Sequence, residues 1–168
     1  MHADPSVIRA VAIRPGLAPG DLGAVVRLHG LLYAKEHGFD PTFEAYVAGP
    51  LAEFAQRRSP RERIWIAEGG GRLLGVVAIV AASDDLAQLR WFLVDPDSRG
   101  HGLGTALLSQ AVEFAGSSGY QAITLWTVSA LGAAARLYRG AGFQLVEERP
   151  GRHWGVDVVE ERYEKLLR

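Results

Sequence analysis

An α/β (α+β) fold is what this sequence predicts, and three observations predict it. Seven short runs have the apolar or alternating pattern of strands, and four longer segments carry apolar residues at helical spacing. Glycine, proline or aspartate punctuates the junctions between them. No internal repeat or low-complexity linker divides the chain. With 168 residues and 48% hydrophobic content it can bury a substantial core without a second module, so residues 1–168 are read as a single domain.

Ile8 to Arg14 alternates as the first strand, and Pro15-Gly16-Leu17-Ala18-Pro19-Gly20 is a turn-rich break. Asp21 has the side chain of an N-cap. The helix it opens, Leu22 to Glu36, aligns Val25, Val26, Leu28, Leu32 and Tyr33, and Gly38 stops it. A second helix starts near Pro41 or Thr42, carries Phe43, Tyr46, Val47, Leu51 and Phe54, and fades before Ser59-Pro60. Gly49-Pro50 is expected to break or kink it.

Ile64 to Glu68 and Leu73 to Ala81 are strands joined by the hairpin loop Gly69-Gly70-Gly71-Arg72, which suggests an antiparallel meander. The turn Ser83-Asp84-Asp85 leads to a fourth strand, Leu89 to Val94, on which Trp91 shares a face with Leu89 and Leu93 while Arg90 points oppositely with Phe92 and Val94. A third helix runs from Thr105 to about Gly116 and a fifth strand from Ala122 to Val128. Ser129 is a candidate cap for a fourth helix. Phe143 to Glu148 and Val156 to Leu167 form a final pair around the loop Pro150-Gly151-Arg152-His153-Trp154-Gly155.

Composition removes several classes of chemistry. There is no cysteine, which excludes disulfides, thiolate nucleophiles and cysteine-ligated metals. A formal net charge of −1 gives no long-range attraction to nucleic acid, and the Arg57-Arg58…Arg61…Arg63 cluster reads as a solvated loop. The opening Met1-His2-Ala3-Asp4-Pro5 lacks a basic segment followed by an apolar one, and no run of about 18 apolar residues exists to cross a bilayer. A soluble cytoplasmic protein with neither nucleic-acid nor membrane partners is expected. No clustering of histidine with carboxylates suggests a metal.

The most informative stretch is Val94-Asp95-Pro96-Asp97-Ser98-Arg99-Gly100-His101-Gly102-Leu103-Gly104-Thr105. It joins an apolar strand to a helix, so unpaired N–H groups and a positive dipole end lie at that junction. Gly100, Gly102 and Gly104 have no Cβ to block a close phosphate. Arg99 can add a charge-assisted contact, and His101 is expected to face solvent. A triphosphate-binding loop would need Gly-Lys followed by Ser or Thr, and no lysine lies between Lys35 and Lys165. A dinucleotide fingerprint would need other glycine spacing and a later carboxylate, which Leu125-Trp126-Thr127 does not supply.

The pattern Arg99-x-x-Gly102-x-Gly104 after a strand ending Val94-Asp95-Pro96 resembles the acetyl-CoA signature of the GNAT superfamily of N-acetyltransferases. Downstream, Ala133 to Leu137 leads into Tyr138 and then Gly142-Phe143, similar to the family's tyrosine-containing helix and Gly-Phe strand entry. The resemblance covers Ile8 to Leu167, with its distinctive motifs between Leu89 and Phe143. It implies a mixed, mostly antiparallel seven-stranded sheet, splayed between strands 4 and 5 and flanked by about four helices. It also implies acetyl-CoA as co-substrate, with a pantetheine arm paired to the opened strand at Leu93 and Val94. The pyrophosphate would lie on Arg99, Gly100, Gly102, Leu103, Gly104 and Thr105.

The implied chemistry is direct attack of a neutral amine on the acetyl thioester in a ternary complex. A backbone N–H near Leu93 or Val94 would hold the oxyanion, and Tyr138 matches the family's usual general acid. The competing reading of Tyr138 is a packed core tyrosine. For the base, Glu36, His37, Asp40, Glu44 and His153 are candidates without a choice, each also readable as an ordinary surface or capping group. Tyr33, Phe39, Phe43, Trp91, Trp126 and Trp154 could wall an acceptor pocket or simply be core. Arg90 either reaches solvent at the sheet edge or meets an anionic acceptor such as an amino acid carboxylate.

Tyr33-Ala34-Lys35-Glu36-His37-Gly38-Phe39-Asp40 with Phe43-Glu44, and Leu125-Trp126-Thr127, are also similar to GNAT domains fused behind MarR-type regulators. A winged helix ahead of the first strand is lacking, so no DNA binding is expected. The expected partner is a small-molecule amine, with amino acids included. A protein or peptide acceptor and a non-catalytic acyl-CoA-sensing module are the alternatives. Exposed apolar residues on the late strands would permit a homodimer without demanding one.

Overall fold

The structure is a computed structural model and describes residues 10–167. Its elements are β1 (Ala12–Pro15), α1 (Asp21–His37), α2 (Pro41–Gln56), β2 (Arg63–Gly69), β3 (Arg72–Ala81), β4 (Leu86–Val94), α3 (Leu103–Ser117), β5 (Ala122–Val128), α4 (Gly132–Gly140), β6 (Gln144–His153) and β7 (Val156–Leu166). They form one seven-stranded sheet in the order β1-β2-β3-β4-β5-β7-β6. Every neighbouring pair is antiparallel except β4 and β5. The expected mixed sheet is therefore present. Ile8 and Arg9 of the expected first strand lie outside the described residues.

The parallel pairing is short. Leu86, Ala87 and Gln88 match Ala122, Ile123 and Thr124, and the ladder ends there. Beyond Gln88 the two strands part, which opens a wedge in the sheet with β4 on one side and β5 on the other. Backbone groups along the wedge lack strand partners across it, so this is where the fold can accept an amide-bearing ligand.

Two apolar cores lie on opposite faces. Leu103, Leu107 and Ala111 of α3 pack with Val77, Ile79, Ile123 and Leu125 on one face. Val25 of α1 and Phe43, Val47 and Leu51 of α2 pack with Ile64, Ile66, Val76 and Ala78 on the other. The period-2 alternation of β3 sorts its residues between the two cores. Leu51 and Leu107 are fully buried, and truncating either to alanine should cost about 2–5 kcal/mol.

Several expectations need correction. Gly20, left-handed at φ 91°, caps α1, and Asp21 is the first helical residue. The Asp21 carboxylate accepts instead from the Ala18 N–H and from Arg14. Helix α2 runs unbroken through Pro50, because the lost bond is to the carbonyl of exposed Tyr46, where water can serve. Ser129 does not cap α4: its N–H donates to the Val159 carbonyl, and the helix starts after Leu131. The late loop is also smaller than expected. β6 continues to His153, with Pro150 tolerated because β6 is the sheet's edge, and only Trp154-Gly155 makes the turn.

The face assignment on β4 is overturned by a β-bulge. Arg90 pairs with Ala78 and Leu93 with Val76, so Trp91 and Phe92 together oppose Val77. Trp91 takes φ 52° to allow it. Consequently Trp91 joins Leu93 and the α1–α2 core, whereas Phe92 and Val94 pack with Leu89 beside α3. Arg90 shares the face of its partner Ala78 and thus of Trp91 and Leu93, opposite to the expected grouping with Phe92 and Val94.

Three of the four clustered arginines make contacts within the fold. Arg57 pairs with Glu62, Arg61 donates to the Ser118 and Asp84 carbonyls, and Arg63 covers the Phe114 ring. Among the described residues no helix is long and apolar enough to cross a membrane. Val146 on β6 and Leu166 on β7 are exposed apolar residues.

Candidate functional site

The loop after β4 is anchored before it reaches α3. Asp95 is buried, accepts from the Asp97 N–H at 2.9 Å, and pairs with Arg72 at 2.9 Å. Its own N–H donates to the Leu74 carbonyl. A single 3-10 turn, Pro96–Ser98, follows. Gly100 and Gly102 then adopt φ 81° each, a region costly for residues with a Cβ. The first intrahelical bond of α3 runs from Ala106 to Gly102, which leaves the N–H groups of Leu103, Gly104 and Thr105 without helix partners. No acidic residue sits in that first turn to neutralise the dipole.

This loop forms one wall of a cleft of about 580 Å³. Leu93, Val94, Arg99, Gly100, Gly102, Leu103, Gly104 and Thr105 all line it, so every residue expected to hold the cofactor comes together in one place. The glycines act differently from one another. A Cβ on Gly102 would meet only open space, so its demand is conformational. A Cβ on Gly104 would lie 3.0 Å from Leu137 and near Phe92 and Val94, so its absence sets the width of the cleft.

Arg99 is already engaged. Its Nε donates to the Val94 carbonyl at 3.1 Å and its Nη1 lies 3.1 Å from Glu36. An anion arriving here meets a guanidinium held at the mouth by α1. Arg136, an exposed residue of α4, lines the same cleft and was not singled out from the sequence. Its only sequence signal is its place two residues before Tyr138.

A second cavity, of about 120 Å³, lies in the wedge itself. Tyr33, Phe92, Leu131 and Ala134 line both it and the cleft, so the two spaces share a wall. Tyr33, Phe39, Phe43, Trp91, Trp126 and Trp154 all line this second cavity, which gathers the six aromatics scattered along the sequence. Trp154 reaches it from the β6–β7 turn at φ 54°, with its ring 4.9 Å from Phe39, 5.2 Å from Phe43 and 5.3 Å from Tyr46. The Asp40 N–H donates to the Trp154 carbonyl and ties the turn to the start of α2.

Tyr138 faces this cavity from α4. Its ring is buried against Phe92, Phe143 and Tyr163, and its hydroxyl has no hydrogen-bond partner among the described residues. Burial pushes its pKa well above the ordinary tyrosine value, with Tyr33 and Tyr163 adding to the shift. The phenol is therefore held protonated. Tyr33 is pushed up to about 12, chiefly by burial.

None of the five base candidates lines the cavity. Glu36 pairs with Arg99, and Asp40 caps α2 by accepting from the Thr42 N–H. Glu44 packs over Gly30 on the outer side of the helix pair. His37 lines the cleft beside Arg99, with a buried Nε2 that has no hydrogen-bond partner and lies 3.9 Å from Glu36. His153 is half exposed and lies 3.2 Å from Glu160.

His29 does line the cavity, and sequence reasoning missed it. Its Nδ1 lies 2.8 Å from the Val25 carbonyl, an atom that can only accept. Nδ1 therefore carries the proton and Nε2 keeps its lone pair. The ring stacks on Tyr33 at 6.1 Å, and burial lowers its pKa to about 4. A histidine four residues after Val25 on an apolar helical face looks like core, and only the cavity distinguishes it. Gln88, Thr127 and Glu160 also line the cavity without having been singled out.

Taken together, the geometry offers an anion cradle, a cleft along an open strand edge, a protonated phenol and a neutral imidazole around an aromatic-walled space. Such a site suits transfer of a group from a long phosphate-bearing donor to a small nucleophile. Comparison with known proteins identifies the family and leaves the acceptor open. The sequence profile described as the Acetyltransferase (GNAT) family matches residues 31–143. N-acetyltransferase family 8 member 3 of Rattus norvegicus is 34% identical over 89 residues, 50% of this chain and 39% of that protein. N-acetylaspartate synthetase of Danio rerio is 38% identical over 85 residues, 50% of this chain and 30% of that protein. The match thus spans well under half the length of both relatives. Among solved structures, yncA of Salmonella typhimurium, assigned as an acetyltransferase and described with its cofactor acetyl-CoA, superposes with a TM-score of 0.77. It is 19% identical and 95% of each chain is covered, a likeness of fold.

Proposed function

The chain belongs to the acetyltransferase (GNAT) family, and on that premise we propose that it moves an acetyl group from acetyl-CoA to the primary amine of a small molecule. One observation carries the reading: a phosphate-cradling cleft and a separate aromatic cavity share a wall where β4 and β5 part. The small volume of that cavity, about 120 Å³, favours a metabolite-sized acceptor over a folded protein surface. The name of the zebrafish relative, N-acetylaspartate synthetase, is in keeping with an amino acid product.

Acetyl-CoA, when bound, supplies an activated thioester. The free N–H groups at the start of α3, with Arg99 and Arg136, hold its phosphates, and Gly104 leaves the width its arm needs. Leu93 and Val94 line the cleft at the open strand edge, and a backbone N–H there would supply the hydrogen bond that stabilises negative charge on the acetyl oxygen. His29, with Nδ1 held by the Val25 carbonyl, leaves Nε2 to accept a hydrogen bond from the acceptor amine and orient its lone pair, and the amine's proton is released to solvent. Tyr138, kept protonated by burial, donates its proton to the departing sulfur.

The test is acetyl-CoA-dependent release of CoA thiol against pools of amino acids, polyamines, aminoglycosides and short peptides. Release with a pool of small amines is expected. Release with peptides alone would replace the acceptor class, and tight acetyl-CoA binding with no release from any pool would replace the enzyme by an acyl-CoA sensor.

A further inference from the structure

We propose that Arg90 makes the wedge cavity a carboxylate subsite, so that the acceptor is a small amino acid bound by its carboxylate with its apolar part against the aromatic wall. This rests on the transferase reading above and narrows its acceptor.

The pairing of Arg90 with Ala78 sets its face, and the bulge that follows brings Trp91 onto that same face while Phe92 and Val94 turn to the α3 side. Arg90 lines the cavity with its guanidinium 4.9 Å from the Trp91 ring. Stacking on the indole leaves the edge of the guanidinium, with its N–H donors, available for a planar anion. Holding a tryptophan at φ 52° is costly, and here that strained backbone sets the indole beside the guanidinium.

Arg90 and Glu160 are the two charged side chains that line the cavity, and they are not paired with each other. Arg90 has no carboxylate partner among the described residues. The acidic residue that lines the cavity, Glu160, lies 3.2 Å from His153. From β5, Thr127 lines the same cavity, and its hydroxyl is buried without a hydrogen-bond partner. A half-buried guanidinium and an orphaned hydroxyl in one small space call for an acceptor-rich ligand. The remaining wall, formed by Phe39, Phe43, Tyr46 and Trp154, is apolar and would cover a hydrocarbon side chain. Polyamines and aminoglycosides, which bring only positive charge, would meet Arg90 as a repulsion.

The experiment compares leucine, methionine and phenylalanine with their carboxamides and with the corresponding decarboxylated amines. CoA release is followed for the wild type, Arg90→Gln and Arg90→Lys. In the wild type kcat/KM should favour the amino acids by roughly tenfold or more over both neutral series. Arg90→Gln should raise KM for the amino acids by roughly tenfold and leave the decarboxylated amines within about twofold. Arg90→Lys should recover part of the loss, since a point charge replaces a fork. The acetyl-CoA Kd should be unchanged in both variants. Equal use of all three series by the wild type, or a loss in Arg90→Gln that falls alike on every amine, overturns the subsite while leaving the transferase intact. Absence of CoA release with every amine overturns the transferase reading and the subsite with it.

Discussion

Burial lowers the pKa of His29 from 6.5 to about 4, so between those values the unfolded chain binds a proton that the folded protein does not. Stability contributed by the neutral ring is complete above pH 6.5 and is lost as the pH falls towards 4, up to about 3 kcal/mol in all. A melting temperature that drops across this window in the wild type, and drops less in His29→Gln, is the expected result. Identical slopes would contradict the buried neutral ring. The glycines of the cradle make a second prediction. Gly102→Val imposes a branched side chain on φ 81°, and Gly104→Val drives a Cβ to about 3 Å from Leu137. Both should abolish acetyl-CoA binding as measured by calorimetry while the fold is kept, and unchanged affinity would remove the phosphates from this loop. At this scale the glycines, Arg99 and Tyr138 stand out in the sequence because each sits in a spaced motif, and the structure places them around the cleft and the cavity. His29 and Arg136 do not stand out, because only the fold shows which space their helix faces line.

Two elements wall the cavity proposed for the acceptor: the bulged β4 and the β6–β7 hairpin. Trp154 closes the cavity from the hairpin turn, and it does not line the cofactor cleft. Trp154→Ala should therefore raise KM for the amine by roughly tenfold with the acetyl-CoA Kd unchanged, as read from initial rates and calorimetry. An equal effect on both substrates would mean that the turn supports the fold alone. Gly155, at φ 81° with its missing Cβ 2.9 Å from the Asp40 carboxylate, shows how tightly the hairpin is seated on α2. The boundaries of β5 were legible because a clean apolar run ends at Val128. The bulge was not, because one extra residue changes no residue type; it separates Arg90 from Phe92 and Val94, which simple alternation places together. The hairpin was misread as a longer loop because Pro150 and Gly151 look like breakers, and an edge strand tolerates them.

Across the whole molecule, function follows from a sheet that fails to close. The β4–β5 ladder stops after Gln88, and the resulting wedge brings a helix N-terminus from one face and an aromatic lining from the other to a common wall. Nothing in this arrangement calls for a metal: among the described residues no group of three or more histidine, aspartate or glutamate side chains could hold one. Turnover should thus be insensitive to chelators, and its loss in chelator would require another chemistry. The measurement that bears most directly on the account is the turnover of Tyr138→Phe set beside its acetyl-CoA Kd. Removing a general acid should lower kcat by roughly 10²- to 10⁴-fold with the Kd unchanged. A kcat equal to that of the wild type would contradict transfer at this wedge by the groups assigned to it.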